Sequence, residues 1–509
     1  MLNSPLLKKP VWLALPIFHV LFWKENPGVN LLLFGLFLLV VLGLNHPQSL
    51  RHRKVLILLT LQLLVGCGAA FIGSSIAFFT FFLLLTVNSV LLRQPSYTSP
   101  YLPFLQSLFQ FFVAPAQAFK NLSKPAFIKI PVARVAYFSV WPLALVIVFF
   151  AIYATANPVL GQWSANSWKW LGTWFEDVSI AWMLFMGLGL WIIATFWQQL
   201  WATDLEKWDH GSTELLRKRL PIKSRKIGWR ALQLENAQWV VALLALNLLL
   251  LVVNIIDIKW IWFGFSVPNG FSLKDFVHDG TGLLVFSILL SMATVLFFFR
   301  GNLNFFRGNR WLKLFAYCWI GQNILLTVSV FLRNGYYVDF HGLAPGRIFV
   351  IYFLGLTLFG LAALAWKVYQ RKSAFWLIRI NSWAVVGTFV LASLVDHSAW
   401  IAGTNLHHHK ANEIDIDYYL QLSPTTYPML FEHLDNIEAQ MAAHKKNEVI
   451  WVHLLQIADF EKVLANKARN FIREYEVHGW PSHTWADVEA YRKLKVRFPE
   501  ENQAEKKES

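Results

Sequence analysis

The chain has 509 residues, of which 56% are hydrophobic and only 15% charged, with a mean hydropathy of +0.44. Soluble domains carry roughly 25% charged residues, so this balance excludes an ordinary soluble globular protein and points to a membrane protein. The net charge of +15 would suit nucleic acid, but the basic excess sits in loops between apolar runs, which argues for a lipid partner and against nucleic acid.

Met1–Lys9 is short and basic and leads into an apolar run at 10–23. A signal peptide is the rival reading, yet Lys24-Glu25-Asn26 follows in place of a small-residue cleavage site, so the run is taken as a short, Pro-started membrane helix. Further apolar runs lie at about 28–45, 55–72, 75–92, 136–154, 178–197, 238–258, 280–299, 313–332, 347–366 and 377–396. Each approaches the ~20 residues a helix needs to cross a bilayer. The expected fold is therefore an all-α polytopic membrane bundle of about 11 transmembrane helices (10–12), with a small helical C-terminal domain outside the membrane. Cys67 and Cys318 fall inside apolar runs and read as small core residues, with neither disulfide nor metal spacing.

Residues 101–119 are apolar but carry Gln106, Gln110 and Gln117 at i, i+4 and i+11, with Pro103 and Pro115 near the ends. That pattern predicts an amphipathic helix lying in the interface, with its glutamine face toward water. The loop 156–177 concentrates Trp163, Trp168, Trp170 and Trp174, as a headgroup-level aromatic belt does. The loop 198–237 contains a basic stretch from Arg217 to Arg230, which reads first as topogenic charge and alternatively as a contact for anionic lipid.

With a cytoplasmic amino terminus and eleven crossings, the loops on the cytoplasmic side hold 26 Lys and Arg, against six on the other side (residues 24, 169, 259, 274, 333 and 347). The positive-inside rule then sets the orientation and leaves the C-terminal segment outside. That segment is acidic: from residue 397 onward there are 13 Lys and Arg against 17 Asp and Glu (net −4), while residues 1–396 have 32 against 13 (net +19). Helices are predicted at Pro424–Lys445 and Glu448–Val477. Thr484 opens a capping-box pattern before a last helix at 485–497, and the charged tail 500–509 is expected to be disordered. Four regions result: an N-terminal membrane region 1–235, a membrane core region 236–396, an extracytoplasmic helical domain 397–499, and the tail.

Polar residues inside membrane helices are costly and usually face a bundle interior or cavity. Asn247 and Asn254 are seven residues apart and share a helix face with Asp257 one turn on, and Gln322-Asn323 lies mid-helix in 313–332. Two such helices facing one another form a polar seam, either a path for a solute or proton or hydrogen-bond glue between helices. His278-Asp279 sits at the level of Asp257, where a histidine beside carboxylates relays protons or an aspartate merely caps a helix. Arg300, Arg307 and Arg310 flank a turn that uses Arg-Gly-Asn twice. They suit an anionic headgroup or anionic substrate, or else simple snorkelling. His407-His408-His409 lacks the spacing of a metal site. No phosphate-binding glycine loop, nucleophile elbow or metalloprotease motif is present, so no catalytic residue and no cofactor is assigned.

Several short segments together are similar to a family of uncharacterised polytopic bacterial inner-membrane proteins described as a domain of unknown function. They are Val277-His278-Asp279-Gly280, Phe299-Arg300-Gly301-Asn302-Leu303-Asn304-Phe305, Trp319-Ile320-Gly321-Gln322-Asn323, Arg333-Asn334 with Tyr336-Tyr337, and Gly342-Leu343 with Arg347-Ile348. Asn381-Ser382-Trp383, Ile401-Ala402-Gly403-Thr404-Asn405 and Leu422-Ser423-Pro424 continue the pattern. The likeness is strongest over 235–406. Where the family has Glu after the histidine, this chain has Asp279. The resemblance implies an inner-membrane bundle and supplies no activity. The reading carried forward is a permease-like protein handling a small solute or proton. The alternatives are a scaffold or sensor whose C-terminal domain binds an envelope partner, and a membrane enzyme acting on lipid-linked substrate.

Overall fold

A computed structural model describes residues 9–122, 180–197, 203–217, 229–263, 280–299, 302–407, 415–446 and 457–499. The expectations for the span 136–154, the tryptophan-rich loop 156–177, most of the basic stretch 217–230, His278, Asp279, Arg300, His408, His409 and the tail lie outside these residues.

Most of the described residues are helical, and no strand longer than an isolated bridge occurs among them. In order the helices are α1 (Lys9–Phe22), α2 (Val29–Asn45), α3 (Arg53–Ile72), α4 (Ser75–Leu91), α5 (Tyr101–Leu122), α6 (Ile180–Trp197), α7 (Thr203–Gly211) and α8 (Trp229–Asp257). Then follow α9 (Gly280–Phe298), α10 (Arg310–His341), α11 (Pro345–Gln370), α12 (Ala374–Ser393), α13 (His397–Leu406), α14 (Tyr427–Glu432), α15 (Leu434–Lys446), α16 (Ile457–Val477) and α17 (Trp485–Arg497). Five are long and apolar enough to cross a membrane: α3, α8 with its extension to Trp262, α10, α11 and α12. Further apolar helices, including α2, α4 and most of α6 and α9, are 10–17 residues long over their apolar parts. The protein is a helical membrane protein.

Local chemistry sets where these helices stop. The Asn30 side chain accepts from Gly28 N–H and donates to the Leu21 and Asn26 carbonyls, which fixes the α1–α2 turn. Gly73 ends α3 in the left-handed region (φ +72°), a conformation that costs a side-chain-bearing residue energy. Ser74, Ser373 and Asp396 then cap α4, α12 and α13 by accepting the first free N–H groups. Pro345 starts α11, where its missing N–H costs nothing.

Three apolar cores result. One joins α1–α4 to α6 and includes Phe375, Val386 and Val390 of α12. A second joins α8–α11 and takes Leu377 of α12. The third gathers α13–α17 around Tyr419, Phe460 and Leu464, together with Leu343 and Ile348 at the α10–α11 turn. The segment 203–217 pairs with the α11–α12 turn through Leu215 and Lys372, and Arg379 and Lys372 both bridge to Glu214. The C-terminal segment docks at the opposite end. There Glu25 accepts from Gly479 N–H and the Ser482 hydroxyl, and Phe71 meets Trp485 at 6.3 Å.

Four sequence-based expectations change. The glutamine face of α5 turns inward: Gln106 and Gln110 are each 2% exposed, while Leu105, Leu108, Phe109 and Phe112 face out. The reason is hydrogen bonding, since Gln106 donates to Gln94 and accepts from Tyr97, and Gln110 donates to the Thr195 carbonyl of α6. Cys67 and Cys318 are exposed on helix surfaces and not buried in a core. Arg333, expected in an outer loop, lies within α10 and is 7% exposed. The helix expected over 424–445 is divided: a short tight turn at Pro424–Thr426 leads into α14, and α15 follows after His433. The last helix occupies 485–497 as expected, with Thr484 and Asp487 forming the full capping box.

Candidate functional site

The helices α8 and α10 run in the same direction, with α9 as the return between them. Polar side chains of α8 recur at 247, 254 and 257, and α10 meets them along 315, 322, 329, 333 and 336. These spacings of about seven residues keep one stripe of each helix against the other.

The Asn247 amide donates to the Phe315 carbonyl at 3.0 Å and to Leu243 of its own helix at 2.7 Å. One register step on, the Asn254 amide donates to the Gln322 carbonyl at 3.2 Å. The two rungs share the sequence offset of 68 residues, so they repeat one contact two turns apart. Gln322 closes the ladder by donating to Asn247 Oδ1 at 2.8 Å. Toward the end of α8, Arg333 donates to Asp257 Oδ1 at 2.6 Å, with the aspartate 2% exposed.

Past Asp257 the helix widens into one wider turn, Ile258–Trp262. Such turns free a carbonyl from the regular ladder. Ile261 offers its carbonyl to the Tyr336 hydroxyl at 2.9 Å, and the Trp262 indole donates to Ser329 at the same distance.

Acceptors remain over. Asn254 Oδ1, Asp257 Oδ2 and Gln322 Oε1 are buried and receive no hydrogen bond among the described residues. Asn323, adjacent to Gln322 in sequence, lies elsewhere on the helix. Its amide donates back to Trp319, its Oδ1 is likewise without a donor, and it touches none of the α8 polar groups by hydrogen bond.

The structure thus brings Asn247, Asn254, Asp257 and Gln322 into one line and leaves Asn323 beside it. Arg333 is the member that sequence reading missed as a site residue. Its signal was present in the spacing, because 322, 329, 333 and 336 continue one helix stripe. Arg307 on the 302–309 turn and Arg310 at the start of α10 are both exposed. That turn is held by its asparagines: Asn304 donates to the Phe299 carbonyl and Asn309 to the Leu303 carbonyl. No group of three or more His, Cys, Asp or Glu suited to a metal ion occurs among the described residues.

A second feature lies where the C-terminal segment meets the bundle. A cavity of about 470 Å³ is lined by Ser74, Ser75, Asp396, His397, Gln421 and Ser423, among others. His397 Nε2 lies 3.1 Å from the Tyr352 hydroxyl. Burial lowers the His397 pKa below its ordinary value, and Asp396 partly opposes that shift.

One family model matches this geometry's whole frame, from residue 20 to 433, and it is described as a domain of unknown function, DUF4153. The chain belongs to that family. Its match includes both helices of the seam and extends past α13 to His433, so the DUF4153 region includes the first part of the C-terminal core. No curated protein and no solved structure matches the chain.

Proposed function

We propose that this DUF4153 protein is a permease-like membrane protein that passes a proton or a small hydrogen-bond-donating or cationic solute along the α8–α10 seam. The supporting observation is the surplus of acceptors. Asn254 Oδ1, Asp257 Oδ2 and Gln322 Oε1 are buried without donors among the described residues. Leaving a buried acceptor unmade costs ~1–3 kcal/mol. Glue alone would be expected to satisfy both ends of each amide. A passing species that donates hydrogen bonds would satisfy these oxygens.

The proposal places the protein in a bacterial inner membrane, with about eleven crossings, a cytoplasmic amino terminus and the C-terminal segment outside. Its support is the distribution of charge. Arg93, Arg307, Arg310, Arg371, Lys372 and Arg379 lie at helix ends on the side of the 302–309 turn, while the net-acidic segment covers the other end.

The test replaces Asn254 and Gln322 together with Leu and compares membrane abundance, thermal stability and rescue of a deletion strain. Interhelical bonds of this kind average only ~0.6 kcal/mol, with a maximum near ~1.7, so the variant is expected to accumulate and yet fail to rescue. Full rescue by a stable variant would sink the path and favour a scaffold.

A second reading rests on the 470 Å³ cavity beside Asp396 and His397, which suits a sensor or enzyme working at the outer face. An His397→Gln protein that loses rescue while the Leu-Leu variant retains it would favour that reading.

A further inference from the structure

A groove of about 640 Å³ opens between α9 and α11 near the α10–α11 turn. Its walls are Gly282, Val285, Val350 and Phe353, and its head is Asn334, Tyr337 and Arg347. The wall residues belong to apolar helices, and Phe349 and Phe353 are exposed on the same side. Water has no reason to fill such a groove in a bilayer, whereas an acyl chain has.

The head is different in kind. The Arg347 guanidinium lies 4.5 Å from the Tyr337 ring centre, donates to the His341 carbonyl at 2.9 Å and also donates to the Gly342 carbonyl. Both bonds use Nη1 and both acceptors are neutral. Among the described residues no carboxylate pairs with Arg347, although its helix begins at the membrane end where charge is costly to bury. Tyr337 and the two carbonyls orient the guanidinium without neutralising it. A guanidinium so held keeps the rest of its donor fork for a planar or tetrahedral anion.

We infer that this groove binds one phospholipid with an anionic headgroup, its phosphate on Arg347 and an acyl chain between α9 and α11. Charge complementarity and continuity with the bilayer choose this occupant: a cation with no carboxylate partner among the described residues stands at the mouth of an apolar channel between α9 and α11. The site is separate from the α8–α10 seam and from Arg307 and Arg310 at the opposite turn, and it does not rest on the permease reading.

The experiment is native mass spectrometry of the full chain released from nanodiscs made of equal parts phosphatidylglycerol and phosphatidylcholine. Three proteins are compared: the parent, Arg347→Gln and Gly282→Phe. A Cβ built at Gly282 meets nothing within 4 Å and the residue lines the groove, so a phenylalanine there is expected to occupy the groove while Arg347 itself is unchanged. The parent is expected to retain one lipid, enriched for phosphatidylglycerol about fivefold, which corresponds to ~1 kcal/mol for one basic group at the membrane surface. Arg347→Gln is expected to keep a lipid and lose the enrichment, and Gly282→Phe to lose the lipid. If Arg347→Gln fails to fold, the Gly282→Phe result still decides. Equal retention of the two lipids by the parent overturns the inference. So does a Gly282→Phe protein with undiminished bound phosphatidylglycerol, or a parent that emerges lipid-free and dimeric with the groove as its contact.

Discussion

Arg333 donates to Asp257 Oδ1 at 2.6 Å across the α8–α10 contact, and the two side chains are 9% and 3% exposed. Removing one member of a buried ion pair strands the other charge, at a cost of ~3–5 kcal/mol. Asp257→Leu and Arg333→Leu are each expected to lower thermal stability in detergent by about that amount. The double Leu variant is expected to recover most of it, since two well-packed apolar residues often replace a buried pair without loss. Under the permease proposal the recovered double variant remains inactive. A double variant no more stable than either single one would show that the pair contributes little coupling.

His397 provides a pH handle outside the spanning helices. Its pKa is lowered, chiefly by burial, so the folded protein favours the neutral ring. The unfolded chain binds a proton first as pH falls, so this contribution is complete above the ordinary histidine pKa of about 6.5 and is lost as pH drops toward the lowered value. Hydrogen exchange at α13 is expected to quicken as pH falls through that window, after correction for the intrinsic rate. In His397→Gln the extra quickening should vanish.

The C-terminal segment is locked to the bundle through glycines. A Cβ at Gly73 would come within 2.7 Å of the Thr484 side chain, and Gly73 already holds φ at +72°. Gly73→Ala therefore combines backbone strain with a clash at the capping box of α17, and a cost above ~1 kcal/mol is expected. Limited proteolysis is expected to cleave the α16–α17 region of Gly73→Ala faster than that of the parent. Unchanged cleavage would mean that α17 docks mainly through other contacts.

Reporter fusions test the orientation. A fusion after Gly211 is expected to read as cytoplasmic and one after Val477 as extracytoplasmic, because these segments lie at opposite ends of the bundle and carry opposite charge bias. Both fusions reporting the same side would require a different number of crossings between residues 211 and 477.

The helical class and the approximate position of each described apolar helix follow from sequence alone. Runs of apolar residues leave the backbone no partner in lipid except its own helix, and Gly73, Ser74, Pro345, Ser373 and Thr484 punctuate those runs by local chemistry that needs no distant contact. The seam was half legible. A seven-residue spacing puts Asn247 and Asn254 on one face, but nothing in the chain says which helix that face meets. Pairing decides the rest. Asp257 acquires Arg333 from 76 residues away, Gln322 faces Asn247 while its neighbour Asn323 turns back on its own helix, and Gln106 and Gln110 turn inward because Gln94, just after α4, and Thr195 of α6 offer them partners. A polar side chain in an apolar helix turns toward whichever hydrogen-bond partner packing brings within reach, and only the tertiary structure supplies that partner.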